Sequence, residues 1–145
     1  MPAHIRLARQ SDLADIFHVR TSVGENHLSV EQLAQMGITE QAVSEMIAAS
    51  PCAWVAVVDG RVVGFLMIDI EDASLFAAFV LPAYEGRGLG KGLVQAAEEK
   101  LFESHAEIWL ETGRETRAAG FYRSLGWGNE QDIGRMDIRL IKRRT

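Results

Sequence analysis

The sequence predicts an α/β protein, with helices around one mixed sheet. Three observations carry this. Two β-rich runs, Cys52 to Val58 and Arg61 to Ile70, enclose Asp59-Gly60, the mark of a tight hairpin. The run Ser74 to Leu81 is apolar almost throughout, as in a central strand covered on both faces. Shortly after it, Leu89, Leu93, Val94, Ala97 and Leu101 form one helical stripe.

The remaining elements follow from local signals. His4 to Ala8 is a first strand. Ser11 stands as an N-cap ahead of Leu13, Ile16, Phe17 and Arg20, which recur at helical spacing. Thr39 caps a second helix with Val43, Met46 and Ile47 on its apolar side. Between them, residues 24–37 give no clear pattern. After the long helix come a short strand, Ala106 to Glu111, and a helix, Arg117 to Leu125, stopped by Gly126 at the C′ position. Trp127 to Ile133 and Met136 to Ile141 close the chain as strands. The order is β-α-α-β-β-β-α-β-α-β-β.

Composition bounds the function. A chain of 145 residues with 48% hydrophobic content is expected to fold as one domain, 1–145, with a sizeable core. No apolar run reaches the ~18 residues of a membrane span, and "MPAHIRLARQ" has no signal-peptide core. A single cysteine, Cys52, excludes an internal disulfide and suits a reducing cytoplasm. The net charge of −5 argues against a nucleic-acid partner, and the basic end Lys142-Arg143-Arg144 is too short to reverse that. Neither a membrane partner nor a metal is expected.

The chemistry concentrates in "YEGRGLGKG", Tyr84 to Gly92, with glycines at 86, 88, 90 and 92. Such a loop between a buried strand and a helix exposes the unpaired N–H groups of the first helical turn at the positive end of its dipole. An anion can approach those donors closely, and Arg87 and Lys91 add positive charge. The spacing is not that of a P-loop: Gly90-Lys91 is followed by Gly92, and Glu85 stands where the first glycine belongs. Nor is it a dinucleotide fingerprint, which would need glycine at Lys91 or Leu93.

"FVLPAYEGRGLGKGLV" (Phe79 to Val94) resembles the coenzyme loop of the GCN5-related N-acetyltransferases, the GNAT family. Its Gln/Arg-x-x-Gly-x-Gly/Ala signature aligns with Glu85-Gly86-Arg87-Gly88-Leu89-Gly90, glutamate replacing the usual first residue. "AAGFYRSLGW" (Ala118 to Trp127) resembles the family's second block, with Glu115 where many members have asparagine. The resemblance covers nearly the whole chain. It implies a GNAT fold: a mixed, mostly antiparallel sheet flanked by helices, whose two central strands splay apart.

It also implies roles. Acetyl-CoA is the co-substrate. The backbone around Val80 and Leu81 pairs with the pantetheine arm, and the amides from Arg87 through Gly88, Leu89 and Gly90 to Lys91 take the pyrophosphate, with Glu85 and Gly86 at the loop's start. Glu85 is expected to point to solvent or to pair with an arginine such as Arg87. Tyr122 resembles the proton donor to the departing sulfur and touches the coenzyme there. The base is open: Glu71, Glu111 and Glu25 are candidates for the base or for positioning water, with Asp72 beside Glu71, and a water chain is equally compatible. His27 lies where relatives shape the acceptor pocket. Arg114 and Arg117 contact coenzyme phosphates or a substrate carboxylate, or are surface charge. The implied activity is direct acetyl transfer to a primary amine of a small molecule or protein; the alternative is a non-catalytic acyl-CoA sensor of the same fold. The acceptor is not readable, and a homodimer is common among relatives.

Overall fold

A computed structural model of the chain describes residues 3–23 and 28–145. Its elements run β1 (Ala3–Leu7), α1 (Leu13–Arg20), α2 (Val30–Gln35), α3 (Glu40–Ala49), β2 (Ala53–Val58), β3 (Arg61–Asp69), β4 (Ser74–Val80), α4 (Leu89–Phe102), β5 (Glu107–Gly113), α5 (Arg117–Ser124), β6 (Gly128–Gly134) and β7 (Asp137–Arg143). The strands form one sheet in the order β1-β2-β3-β4-β5-β7-β6. Only β4 and β5 pair in parallel.

Local chemistry explains most boundaries. Asp59 and Gly60 both take positive φ, 52° and 75°, the turn geometry whose twist matches the flanking strands. Thr39 accepts from the Ala42 amide at 3.1 Å and starts α3. The unreadable segment contains α2, a short helix capped by Ser29, which accepts from Gln32 N at 3.1 Å while Gln32 Oε1 accepts from Ser29 N at 2.8 Å. Ser11 is not the cap of α1. The chain first makes a 3-10 turn, Gln10–Asp12, and the Asp12 carboxylate accepts from the Arg9 amide at 2.7 Å and from both Arg6 amino nitrogens at 2.8 and 3.1 Å. The Arg6 pair ties β1 to the start of α1. At the end of α5, Trp127 N–H donates to Tyr122 O and Gly126 N–H to Arg123 O, with Gly126 at φ 96°. This is the two-bond stop that a C′ glycine permits.

Every residue of β2, and all of β3 from Val62 to Ile68, is buried, so both faces of the sheet are covered there. Helix α4 packs on one side across β1 to β5, with Leu89, Leu93, Val94, Ala97 and Leu101 inward; α1 packs on β3 and β4, with α3 beside it. The far strands are covered on one face only: Ile108, Leu110, Ile138 and Leu140 are buried, whereas β6 is exposed nearly throughout.

β4 is central, as its apolar run implies, but it is not sealed. Residues Ala77 to Val80 are half-buried and Phe76 is 50% exposed. Phe76 is also the extra residue of a bulge, because Ile68 pairs with Leu75 and Met67 with Ala77. A bulge bends a strand and increases its twist, and this one sits where β4 leaves its parallel neighbour.

Candidate active site

The contact between β4 and β5 is a single register pair, Ser74 with Trp109, helped by Trp109 N–H to Ala73 O at 3.0 Å. Both outer ladders continue: β4 stays on β3 as far as Gly64–Val80, and β5 stays on β7 as far as Gly113–Asp137. The sheet therefore opens between its two central strands.

Alternation fixes what faces the opening. Leu81 N–H donates to Val63 O at 2.8 Å, and Leu81 O accepts from Tyr84 N–H at 2.8 Å. Both backbone groups of Leu81 are thus used internally. The residue before it points the other way, so Val80, and Ala78 two before that, turn N–H and C=O into the gap. On β5, Trp109 bonds toward β4, which directs the backbone of Glu111 into the same gap, while the carbonyl of Gly113 is taken by Thr116.

The glycine loop caps the open end. Gly86 and Gly88 have φ of 76° and 80°, a region that side chains resist, and Gly88 is the N-cap of α4. Gly90 and Gly92 serve packing instead. A Cβ on Gly90 would stand 3.2 Å from Phe121 Cζ, and one on Gly92 3.1 Å from Ile5 Cγ1. Two of the four glycines therefore shape the loop and two let α4 approach α5 and β1. Gly92 N–H makes the first return bond, to Gly88 O. No amide from Gly86 to Lys91 donates to another group among the described residues, leaving a run of N–H donors at the positive end of a 14-residue helix.

The side chains of this loop depart from expectation in one respect. Glu85 pairs not with Arg87 but with Arg117, the first residue of α5, at 2.7 Å. Arg87 folds back, its guanidinium 4.9 Å above the Tyr84 ring and donating to Ala83 O at 3.5 Å. Arg114 turns toward β6 and pairs with Asp132 at 2.9 Å.

Helix α5 brings Tyr122 to the same place. Its N-cap, Thr116, accepts from Ala119 N at 3.2 Å and donates to Gly113 O at 2.8 Å. Phe121 touches Gly90, and the Tyr122 ring lies 5.3 Å from that of Phe121 and 5.9 Å from that of Trp127. Tyr122 is 6% exposed, and burial pushes its phenol well above the usual tyrosine range. Its hydroxyl has no hydrogen-bond partner among the described residues, yet no fully buried side-chain oxygen or nitrogen there lacks one. The hydroxyl therefore reaches accessible surface while the ring is held in the core.

The carboxylates separate. Glu111 lies on β5, in register with Arg139, whose Nε and Nη2 both donate to its Oε2 at 3.1 and 2.6 Å. Arg139 also stacks on Trp109 at 4.1 Å. The register chain from Phe79 and Phe65 through Asp69 and Ser74 to Trp109 puts Trp109 and Glu111 on the face that α1 covers further along. There Arg20 of α1 sits 4.3 Å above the Phe79 ring. Glu111 thus stands on the opposite wall of the gap from Phe79. Glu71 is exposed in the turn between β3 and β4, at the end where β4 and β5 are still paired and away from the glycine loop. Glu25 and His27 lie outside the described residues. The sequence reading had missed Arg20, the Phe76 bulge and the Arg139 clamp. A bulge leaves no mark in an apolar run, and the other two depend on long-range register.

Two clefts bear on where a ligand could sit. One of about 270 Å³, lined by Lys91, Gln95, Glu98, Ser124, Leu125 and Lys142, adjoins the first turn of α4. A larger one of about 380 Å³, beside Ser50 and Cys52, is remote from the loop and lacks an ionisable group suited to the chemistry. Among the described residues no cluster of His, Cys, Asp or Glu could hold a metal, and no helix is long and apolar enough to cross a membrane.

Comparison with known proteins agrees with this geometry. The chain is 32% identical over 78 residues to the ribosomal protein bS18-alanine N-acetyltransferase of Haemophilus influenzae, covering 52% of this chain and 53% of that protein. It is 35% identical over 75 residues to the peptidyl-lysine N-acetyltransferase YiaC of Escherichia coli, covering 51% and 48%. The aligned segment thus spans about half the length of the curated relatives it matches. Among solved structures, the PaiA N-acetyltransferase of Thermoplasma acidophilum, crystallised in complex with coenzyme A, superposes with a TM-score of 0.82 at 21% identity, covering 99% of this chain and 100% of that one. The model of the acetyltransferase (GNAT) family matches residues 12–127, most of the chain, and the protein belongs to that family.

Proposed function

We propose that the protein transfers the acetyl group of acetyl-CoA directly to a primary amine. One observation carries the reading: the gap between β4 and β5 opens onto the unpaired amides of Gly86 to Lys91. A long ligand with an anionic middle and an amide-bearing arm fits that combination. The amides of Arg87 to Lys91 would hold the pyrophosphate, and the free backbone edge of Val80 and Ala78 would pair with the arm. Leu81 would contribute shape rather than hydrogen bonds.

The chain's own groups address the two barriers of the reaction. An alkylamine with pKa near 10.4 is only about 0.04% neutral at pH 7, so a proton must leave before attack. Among the described residues Glu111 is the candidate nearest the gap: Arg139 fixes one carboxylate oxygen, and Oε1 remains to take the proton directly or through water. Glu71, at the closed end of the splay, is placed poorly for that role. The departing sulfur then needs a proton donor, and Tyr122 offers a hydroxyl at accessible surface on a fixed ring.

Both curated relatives described above are named for protein amines, so peptides with a free N-terminus and peptides carrying lysine head the acceptor panel, followed by small amines. The experiment is calorimetry with coenzyme A and acetyl-CoA, then thiol release across that panel. Binding with thiol release that depends on an amine supports transfer. Binding without release on any acceptor supports a non-catalytic sensor, and no binding removes the reading.

A further inference from the structure

Glu111 and Arg139 present two opposite charges on one uncovered stretch of sheet. They are register partners on β5 and β7, on the face opposite the buried Ile108, Leu110, Ile138 and Leu140. Their side chains are 40% and 37% exposed. Arg139 spends one edge of its fork on the pair, since Nε and Nη2 both donate to the same oxygen, Oε2. Neither Glu111 Oε1 nor Arg139 Nη1 has a partner among the described residues. No fully buried nitrogen of a residue like Arg139 lacks one there, so Nη1 reaches accessible surface. The guanidinium is also held in plane. It lies 4.1 Å from the centre of the Trp109 ring, and that indole is tied down by its own N–H, which donates to Asp72 O at 2.8 Å.

A plain amine meets a difficulty at this pair. Its ammonium can donate to Oε1, but it then stands close to the guanidinium, a like charge. A carboxylate on the same molecule removes the difficulty by accepting from the free end of the fork, the planar recognition that a guanidinium does best. Ligand and pair then set their charges in opposite order, and neither is left uncompensated. Oε1 and Nη1 belong to groups already in contact, so a ligand that bridges them needs its two charges close together. An α-amino acid carries both on one carbon.

We propose that the acceptor is the α-amino group of a free amino acid, and that Arg139 selects it by binding its carboxylate while Glu111 Oε1 takes its ammonium. The inference rests on acetyl transfer at the gap, as proposed above. It sets free amino acids ahead of peptides, whose first carbonyl carries no charge.

Thiol release by the full chain with acetyl-CoA tests this across the standard amino acids. The amino acid that reacts best is then compared with its carboxamide, which keeps the amine and loses the carboxylate. The acid is expected to exceed the amide roughly ten- to a hundredfold in kcat/KM, the range of charge-assisted hydrogen bonds. Arg139→Ala brings the ratio to one or below, and Arg139→Lys, a cation without the fork, keeps part of it. The ratio is taken within one protein, so a shift of Glu111 or a smaller folded fraction cancels. A merely structural Arg139 lowers both substrates alike and leaves the ratio at the parent's value. Release with peptides or simple amines but with no amino acid, an amide as good as its acid in the parent, or a ratio that survives Arg139→Ala overturns the proposal. If Arg139→Ala does not fold, the parent ratio and Arg139→Lys decide. Coenzyme binding without release on any acceptor removes the transfer reading itself.

Discussion

Replacing Tyr122 by phenylalanine removes one oxygen and tests the chemistry most directly. The ring is 6% exposed and packs against Phe121 and Trp127; phenylalanine keeps both contacts. The hydroxyl gives up no hydrogen bond within the described residues, so stability is expected to change by less than about 1 kcal/mol and the melting temperature by only a few degrees. The catalytic cost is larger. A positioned donor contributes about 10²- to 10⁴-fold, or roughly 2.7 to 5.4 kcal/mol of barrier at 1.36 kcal/mol per decade. The ordinary gap between a thiol near 8.5 and a tyrosine near 10 already makes full proton transfer uphill by about 2 kcal/mol. Burial raises the phenol further. In the proposed role Tyr122 would act as a hydrogen-bond donor that keeps its proton until charge develops on sulfur, since burial holds its phenol protonated through the neutral and mildly alkaline range. Thiol release is the assay, with coenzyme affinity measured in parallel. Turnover is expected to fall while affinity holds, the pattern of an interaction made in the transition state. Full turnover by Tyr122→Phe on a good acceptor would refute the role, and a large loss of melting temperature would mark the hydroxyl as structural instead.

The other predictions concern the supports of the site. Gly113→Ala puts a Cβ 2.7 Å from Thr116 Cγ2; turning Thr116 away breaks the α5 cap and costs about 1–3 kcal/mol by chemical denaturation, whereas parent-like stability would show that the cap can move without loss. Gly90→Ala gains up to about 1 kcal/mol of helix propensity but presses on Phe121 Cζ at 3.2 Å, so stability should stay near the parent while turnover falls through the Phe121–Tyr122 contact; unchanged turnover would uncouple Gly90 from Tyr122. Asp12 is 4% exposed; burial pushes its carboxyl up, but hydrogen bonds from Arg6 and the Arg9 amide outweigh that and hold it below the ordinary value of 3.8. Because the folded state lowers this pKa, its stabilisation is complete above the unfolded value near 3.9 and is lost as pH falls through the folded one. Asp12→Asn should cost about 1–3 kcal/mol at pH 7 and flatten the acid limb of the stability curve, and an acid limb identical to the parent's would contradict this.

Much of the fold was legible because its signals are local. Asp59-Gly60, the Leu89 to Leu101 stripe, Thr39 and Gly126 each act within a few residues, and each stands where the sequence placed it. Ser11 misled because Asp12, one residue on, offers a carboxylate that two partners on Arg6 can reach, and an ion pair to a neighbouring strand decides the start of α1. Helix α2 was invisible because it has only six residues, Val30–Gln35, with Leu33 alone buried, too few for an apolar stripe to mark it. At the site, the loop was readable from its glycines and Tyr122 was singled out only by the family resemblance. The partner of Glu85 was not, since Arg117 reaches it across two elements, and the four glycines looked alike in sequence although only Gly86 and Gly88 need positive φ.

The opening in the sheet has a physical consequence of its own. Val80 and Ala78 on one side, and Glu111 on the other, present backbone donors and acceptors to a gap in the middle of a seven-stranded sheet. Such groups are edge groups, and an edge invites pairing with any extended chain that carries amides. At most edges a protein blunts this with charge or proline. Here Pro82 ends the strand just beyond the gap, but Ala77 to Val80 carry no charge, and the Phe76 bulge lies where β4 parts from β5. The edge is maintained rather than blocked. In the proposed binding mode a ligand arm with amides along an extended chain would complete the ladder from Val80 while its anionic end reached the amides of Gly86 to Lys91. The arm's far end would then point along β4 toward the bulge, between Glu111 on one wall and the α1 face with Arg20 and Phe79 on the other. An amine entering from the uncovered face of β5 and β7 would meet it there, which is why acceptor choice should depend on Glu111, Arg139 and Arg20 more than on the loop.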